Sequence, residues 1–92
     1  MKKNILTIRF TDNPPIFMDP VFSLIADKKS VAIDELEKMT KQKCNITYID
    51  ILDKNKRGNV IITIGKYDYY CYIDWNVLYT FINEETNRNI EL

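Results

Sequence analysis

Two runs rich in β-branched and aromatic residues, Val60-Ile61-Ile62-Thr63-Ile64 and Tyr67-Asp68-Tyr69-Tyr70-Cys71-Tyr72-Ile73, are separated only by Gly65-Lys66. No other feature limits the fold of this chain as much. Side chains branched at Cβ crowd the preceding turn of a helix but pack well on a pleated surface, so both runs read as strands. Glycine takes the positive φ that a tight turn demands, which makes Gly65-Lys66 the tip of an antiparallel hairpin. Alternation along a strand then sorts the residues onto two faces. Val60, Ile62, Ile64, Tyr67, Tyr69, Cys71 and Ile73 fall on one face and read as core. Ile61, Thr63, Tyr70 and Tyr72 fall on the other.

The same signals extend the sheet. Ile46 to Leu52 is dense in β-branched residues and reads as a strand, followed by the polar loop Asp53-Lys54-Asn55-Lys56-Arg57-Gly58 and a strand over Asn59 to Ile64. Between Asn4 and Phe10, Leu6, Ile8 and Phe10 alternate with Thr7 and Arg9, the pattern of a half-buried strand. Thr11-Asp12-Asn13-Pro14-Pro15 ends it in a rigid loop. Asp19-Pro20 is a helix-start signal and predicts a short helix over Val21 to Ala26. Ser30 offers a second cap. Beyond it Ile33, Leu36 and Met39 recur at helical spacing, and Asp34/Lys38 and Glu37/Lys41 fall at i,i+4 as opposite charges, which predicts a helix over about 31–41. Asp74 is placed to cap a last helix over Trp75 to about Thr86, with Val77, Leu78, Phe81 and Ile82 on its apolar face.

The chain is therefore expected to be an α+β domain: a small antiparallel sheet in the order β-α-α-β-β-β-α, with helices packed on one face. Its 92 residues leave no room for a second core, so residues 1–92 are expected to form a single domain. A competing reading takes Ile46 to Ile51 as a recognition helix and Val60 to Ile73 as a wing, a winged helix-turn-helix. The β-branched content of Ile46 to Ile51 and the leading strand oppose it.

Composition excludes several classes of function. The chain has no histidine, which removes Ser-His-Asp and Cys-His catalysis and imidazole metal sites. Cys44 and Cys71 stand far apart and form no C-x-x-C pair, so no metal site is expected. The two glycines, Gly58 and Gly65, cannot build a phosphate-binding loop. Asp53 to Gly58 resembles the opening of a calcium loop but has Arg57 at the fifth position and Ile64 where the twelfth needs a bidentate carboxylate. Lysine plus arginine and aspartate plus glutamate each number 13, so no net field draws the chain to nucleic acid or an anionic membrane. The basic start of the chain is interrupted by Arg9 and Asp12 before it reaches the length of a signal peptide, so a cytoplasmic location with reduced thiols is expected. Weighting toward Ile, Lys, Asn, Tyr and Phe points to a low-GC bacterial or phage source. The expectation is a non-enzymatic protein without cofactors.

Two features point outward. Tyr48, Tyr70 and Tyr72 read as an aromatic cluster, since tyrosine offers large contact area at small entropic cost to a protein partner, or a stacking surface to bases. Lys54, Lys56 and Arg57 form a basic loop, and with Lys38, Lys41 and Lys43 they would make a phosphate-binding patch if the fold joined them. The expected function is a small protein-binding module, a regulator or inhibitor of a larger protein, of the type found in phage and other mobile elements. Nucleic-acid binding, through a winged helix or an aromatic sheet face, is the alternative.

Overall fold

The computed structural model describes residues 3–53 and 56–78, with backbone alone at 50–53. Among these, the chain runs β1 (Ile5–Phe10), β2 (Val21–Ile25), α1 (Lys29–Thr40), β3 (Cys44–Asp53), β4 (Arg57–Ile64) and β5 (Tyr67–Trp75). The five strands form one sheet in the order β2-β1-β5-β4-β3, antiparallel at every junction. The fold is α+β as expected, but its described order is β-β-α-β-β-β. Among the described residues, no helix is long and apolar enough to cross a membrane.

The meander is the part most faithful to the sequence. Gly65 adopts φ +63° at the hairpin tip, and its N–H donates to Lys43 O at 2.7 Å, tying the tip to the start of β3. Val60 lies opposite Cys71 and Ile62 opposite Tyr69, while Ile61 lies opposite Tyr70 on the other face. The strands outrun their expected ends: β3 continues to Asp53 and β4 begins at Arg57, so the polar loop is shorter than the sequence implied. Ile46 to Ile51 is extended, which rules out the recognition helix of a winged helix-turn-helix.

The helix expected over Val21 to Ala26 is instead β2. Six residues are too few to nucleate a helix by themselves, whereas the alternation in Val21-Phe22-Ser23-Leu24-Ile25 suits a strand, and β1 offers a matching edge. Phe22 and Leu24 turn inward opposite Ile8 and Leu6, and the other three side chains turn outward. Pro20 has no N–H to give, but its carbonyl accepts the Phe10 N–H at 2.9 Å.

α1 covers the inner face. It starts one residue before the expected cap Ser30, its N-cap being Lys28, and it closes on Lys41 in the left-handed conformation with φ 58°. Its buried stripe is Ala32, Leu36 and Thr40, so Met39, expected inside, is exposed. Thr40 tolerates burial because its hydroxyl donates back to Leu36 O at 2.8 Å. The expected i,i+4 partners are also reassigned. Lys38 pairs with Glu35 at 3.2 Å, and Glu37 Oε2 accepts the Cys44 N–H at 3.0 Å.

The core gathers Leu6, Ile8, Leu24, Leu36, Val60, Ile62, Ile73, Trp75 and Leu78 among others. Phe10 stacks tilted on Phe22 and meets Tyr69 edge to face, with ring centroids 5.9 and 5.6 Å apart. Trp75, expected to open the last helix, ends β5, and its indole N–H donates to Ala26 O at 2.9 Å in the interior. The rest of that predicted helix, from residue 79 onward, lies outside the described residues. Replacing Trp75 by Phe keeps most of the apolar surface but strands a buried carbonyl at Ala26. Urea titration is expected to show a loss of about 1–3 kcal/mol, with the slope unchanged.

Candidate partner-binding face

The sheet has two unlike sides because each strand alternates and α1 covers only one of them. On the outer side β2 presents Val21, Ser23 and Ile25, and β1 presents Ile5, Thr7 and Arg9. β5 adds Tyr70, Tyr72 and Asp74; β4 adds Arg57, Asn59, Ile61 and Thr63; β3 adds Asn45 and Thr47. Tyr72 occupies the middle of this surface, with Arg9 opposite it on β1 and Asn59 opposite it on β4. The Arg9 guanidinium sits 5.8 Å from the centre of the Tyr72 ring, within cation–π range. Tyr70 follows on the same side about 7 Å along the strand. It is 55% exposed, and Thr11 secures its backbone by donating both its N–H and its hydroxyl to Tyr70 O at 3.0 Å.

Polar groups on this side are paired locally. The Thr7 and Ser23 hydroxyls lie 3.0 Å apart, and the Thr63 hydroxyl donates to Asp68 Oδ1 at 2.7 Å. Arg57 stands opposite Asp74 in the ladder. Among the residues whose side chains are described, Arg9, Arg57, Asp68 and Asp74 lie on this surface, so it carries both signs of charge. It is a mixed surface with a tyrosine centre.

The sequence-predicted residues do not all meet here. Tyr70 and Tyr72 share the outer face as expected, and Arg57 lies on the same side. Tyr48 does not: it shares parity with Cys44 and Ile46, lies opposite Val60, and packs against the core on the helix side. The register break between Tyr48 and Asp50 brings Asp50 opposite Asn59, so Tyr48 and Asp50 do not extend the surface together. Burial raises the Tyr48 phenol well above its usual pKa. Lys56 is exposed at the β3–β4 turn, where its carbonyl accepts the Trp75 N–H at 2.7 Å. Lys54 lies outside the described residues. The joint basic patch does not form: Lys41 and Lys43 flank the start of β3 and Lys56 and Arg57 follow its far end, roughly 30 Å away along a strand of this length.

Arg9 was readable as an outward residue of β1, but its partner Tyr72 is set by a pairing between distant strands. Val21, Ser23 and Ile25 escaped notice because a cap signal at Asp19-Pro20 masked their alternation. No family model, curated protein or solved structure matches the chain.

Both cysteines are buried. Burial, the dominant effect, pushes the Cys71 thiol up to about 12 against the opposing hydrogen bond with the Ile62 backbone. Burial likewise raises Cys44, offset by the Thr40 hydroxyl and reinforced by Glu37. Neither thiol is poised as a nucleophile. A folded pKa above the unfolded value holds stability below the unfolded pKa and loses it as pH rises toward the folded one. Two outcomes follow. At neutral pH, alkylation of either cysteine is expected to require unfolding. Denaturation midpoints are expected to fall from pH 9 upward, and less steeply in Cys71→Val, as chemical unfolding at neutral and alkaline pH can show.

Proposed function

We propose that the chain is a non-enzymatic binding module that regulates or inhibits a larger protein by seating its outer sheet face on it. The single observation behind this reading is the exposed Tyr70 beside a Tyr72 ring in cation–π contact with Arg9. Contact residues that are rigid before binding lose little entropy on docking, and tyrosine and arginine dominate the energetics of protein interfaces. Charges of both signs on the surface suit a protein partner of mixed polarity better than a polyanion. The total absence of histidine supports a role without acid–base chemistry at neutral pH. A regulator or inhibitor of phage or mobile-element type in the cytoplasm fits the size and residue usage.

Nucleic-acid binding through an aromatic platform would draw on the same Tyr70, Tyr72 and Arg9. The separation of the two basic groups to opposite ends of β3 and the carboxylates Asp68 and Asp74 on the face weigh against it, because polyanion affinity rests on clustered cations.

The test is Tyr70→Ala combined with Tyr72→Ala, used as bait in lysate of the source cells with and without nuclease. The wild type is expected to retain a nuclease-resistant protein partner, and the double variant to lose it by more than about tenfold, equivalent to about 1.4 kcal/mol. Its melting temperature should stay within a few degrees, because neither ring is part of the buried core. A collapse in stability would make the tyrosines packing residues, and nuclease-sensitive retention that falls steeply with salt would assign the face to nucleic acid.

A further inference from the structure

The two edges of the sheet are built differently. An edge strand is a row of unpaired backbone groups, and proteins usually blunt it with charges, proline, bulges or a covering contact. β3 shows two such devices. Its register breaks between Tyr48 and Asp50 and again between Ile51 and Asp53. The bond from Gly65 N–H to Lys43 O sets the ladder phase so that the Cys44 N–H points away from β4, and Glu37 Oε2 takes it at 3.0 Å.

β2 has none of these. Its five residues Val21-Phe22-Ser23-Leu24-Ile25 include no charge, no proline and no bulge. The bonds Phe10 N–H to Pro20 O and Ala26 N–H to Asn4 O, each 2.9 Å, fix the phase of its ladder with β1. Alternation of an antiparallel ladder then gives the backbone groups of Phe22 and Leu24 to β1 and turns those of Val21, Ser23 and Ile25 outward. Among the described residues nothing bonds to these outward groups. The side chains beside them are exposed and partly apolar, Val21 at 48% and Ile25 at 57%.

We infer that β2 is a homodimerisation edge, pairing antiparallel with β2 of a second copy of this chain. The strand is complementary to itself. Centred on Ser23, the pairing sets Ser23 opposite Ser23 of the second copy and Val21 opposite Ile25 at both ends. These are hydrogen-bonded pairs, each exchanging two backbone bonds. The Val21–Ile25 contacts supply apolar cross-strand pairs on the outer face, and Phe22 meets Leu24 on the core side. Beyond the ladder Asp19 faces Asp27, an exposed like-charge pair that keeps the association reversible. The two-fold axis runs perpendicular to the sheet, so both outer faces lie on one side and both α1 helices on the other. This inference stands on backbone geometry and does not depend on what the tyrosine face binds.

Sedimentation velocity of the full chain from low micromolar to millimolar concentration tests it. Wild type is expected to pass from monomer to dimer across that range. Ser23→Pro removes an outward N–H while sparing the β1 ladder, and is expected to stay monomeric with its far-UV circular dichroism unchanged. In case proline disturbs the strand, Val21→Lys with Ile25→Lys places like charges opposite each other at exposed positions and is likewise expected to abolish the dimer. A wild type that stays monomeric at every concentration overturns the inference. So does a dimer that survives both variants, or one lost only on Tyr70→Ala with Tyr72→Ala.

Discussion

The pairing of β1 with β5 is the constraint on which the rest of the structure depends. The meander β3-β4-β5 and the hairpin β1-β2 are each local, and each is formed by neighbouring segments. They become one sheet only because Leu6 finds Trp75, Ile8 finds Ile73 and Arg9 finds Tyr72 across most of the chain. Side-chain bonds reinforce the seam at one end. The Trp75 indole reaches Ala26 O, Asn76 Oδ1 accepts the Ile5 N–H at 3.1 Å, and Asn76 Nδ2 donates to Asn4 Oδ1 at 2.9 Å. A seam between distant segments costs loop entropy before it yields contacts, so it is expected to form late in folding.

That seam also creates the surface of interest. Tyr72 would be an isolated ring on a hairpin if β1 did not lie beside it. With β1 in place, Arg9 covers one side of the ring and Asn59 flanks the other. The inner side receives most of the apolar residues of the strands and of α1, and the outer side carries hydroxyls, amides, charges of both signs, two tyrosines and Ile5, Val21, Ile25 and Ile61. A protein this small has limited core to invest, and here the core occupies one side of the sheet. The other side is left exposed, and the seam brings Arg9 and Tyr72 together on it.

How much of this was legible in the sequence follows the range of the interactions. The hairpin at Gly65 and the two faces of β4 and β5 could be read from alternation, because both ends of each interaction lie within a few residues. The helix over 31–41 was also legible, but its buried stripe was not. Thr40 is buried because its hydroxyl is satisfied within the helix, which lets it take a place that composition would assign to Met39. β2 failed because Asp19-Pro20 is a genuine local helix signal overridden by a strand-pairing partner more than ten residues upstream. Tyr48 failed because the phase of β3 against β4, and the register break after Tyr48, are set between strands. The gathering of Arg9, Arg57, Asp68 and Asp74 on one side was hidden for the same reason.

The central claim is that the sheet has one sealed side and one open side, with Tyr70 and Tyr72 on the open one. Proton NMR of the tyrosine rings with a soluble paramagnetic agent tests it directly, since the agent attenuates only signals that solvent can approach. The account predicts strong attenuation at Tyr70, intermediate attenuation at Tyr72 and little at Tyr48. Shielding of Tyr70 and Tyr72 to the level of Tyr48 would mean that the outer face is covered, and would contradict it.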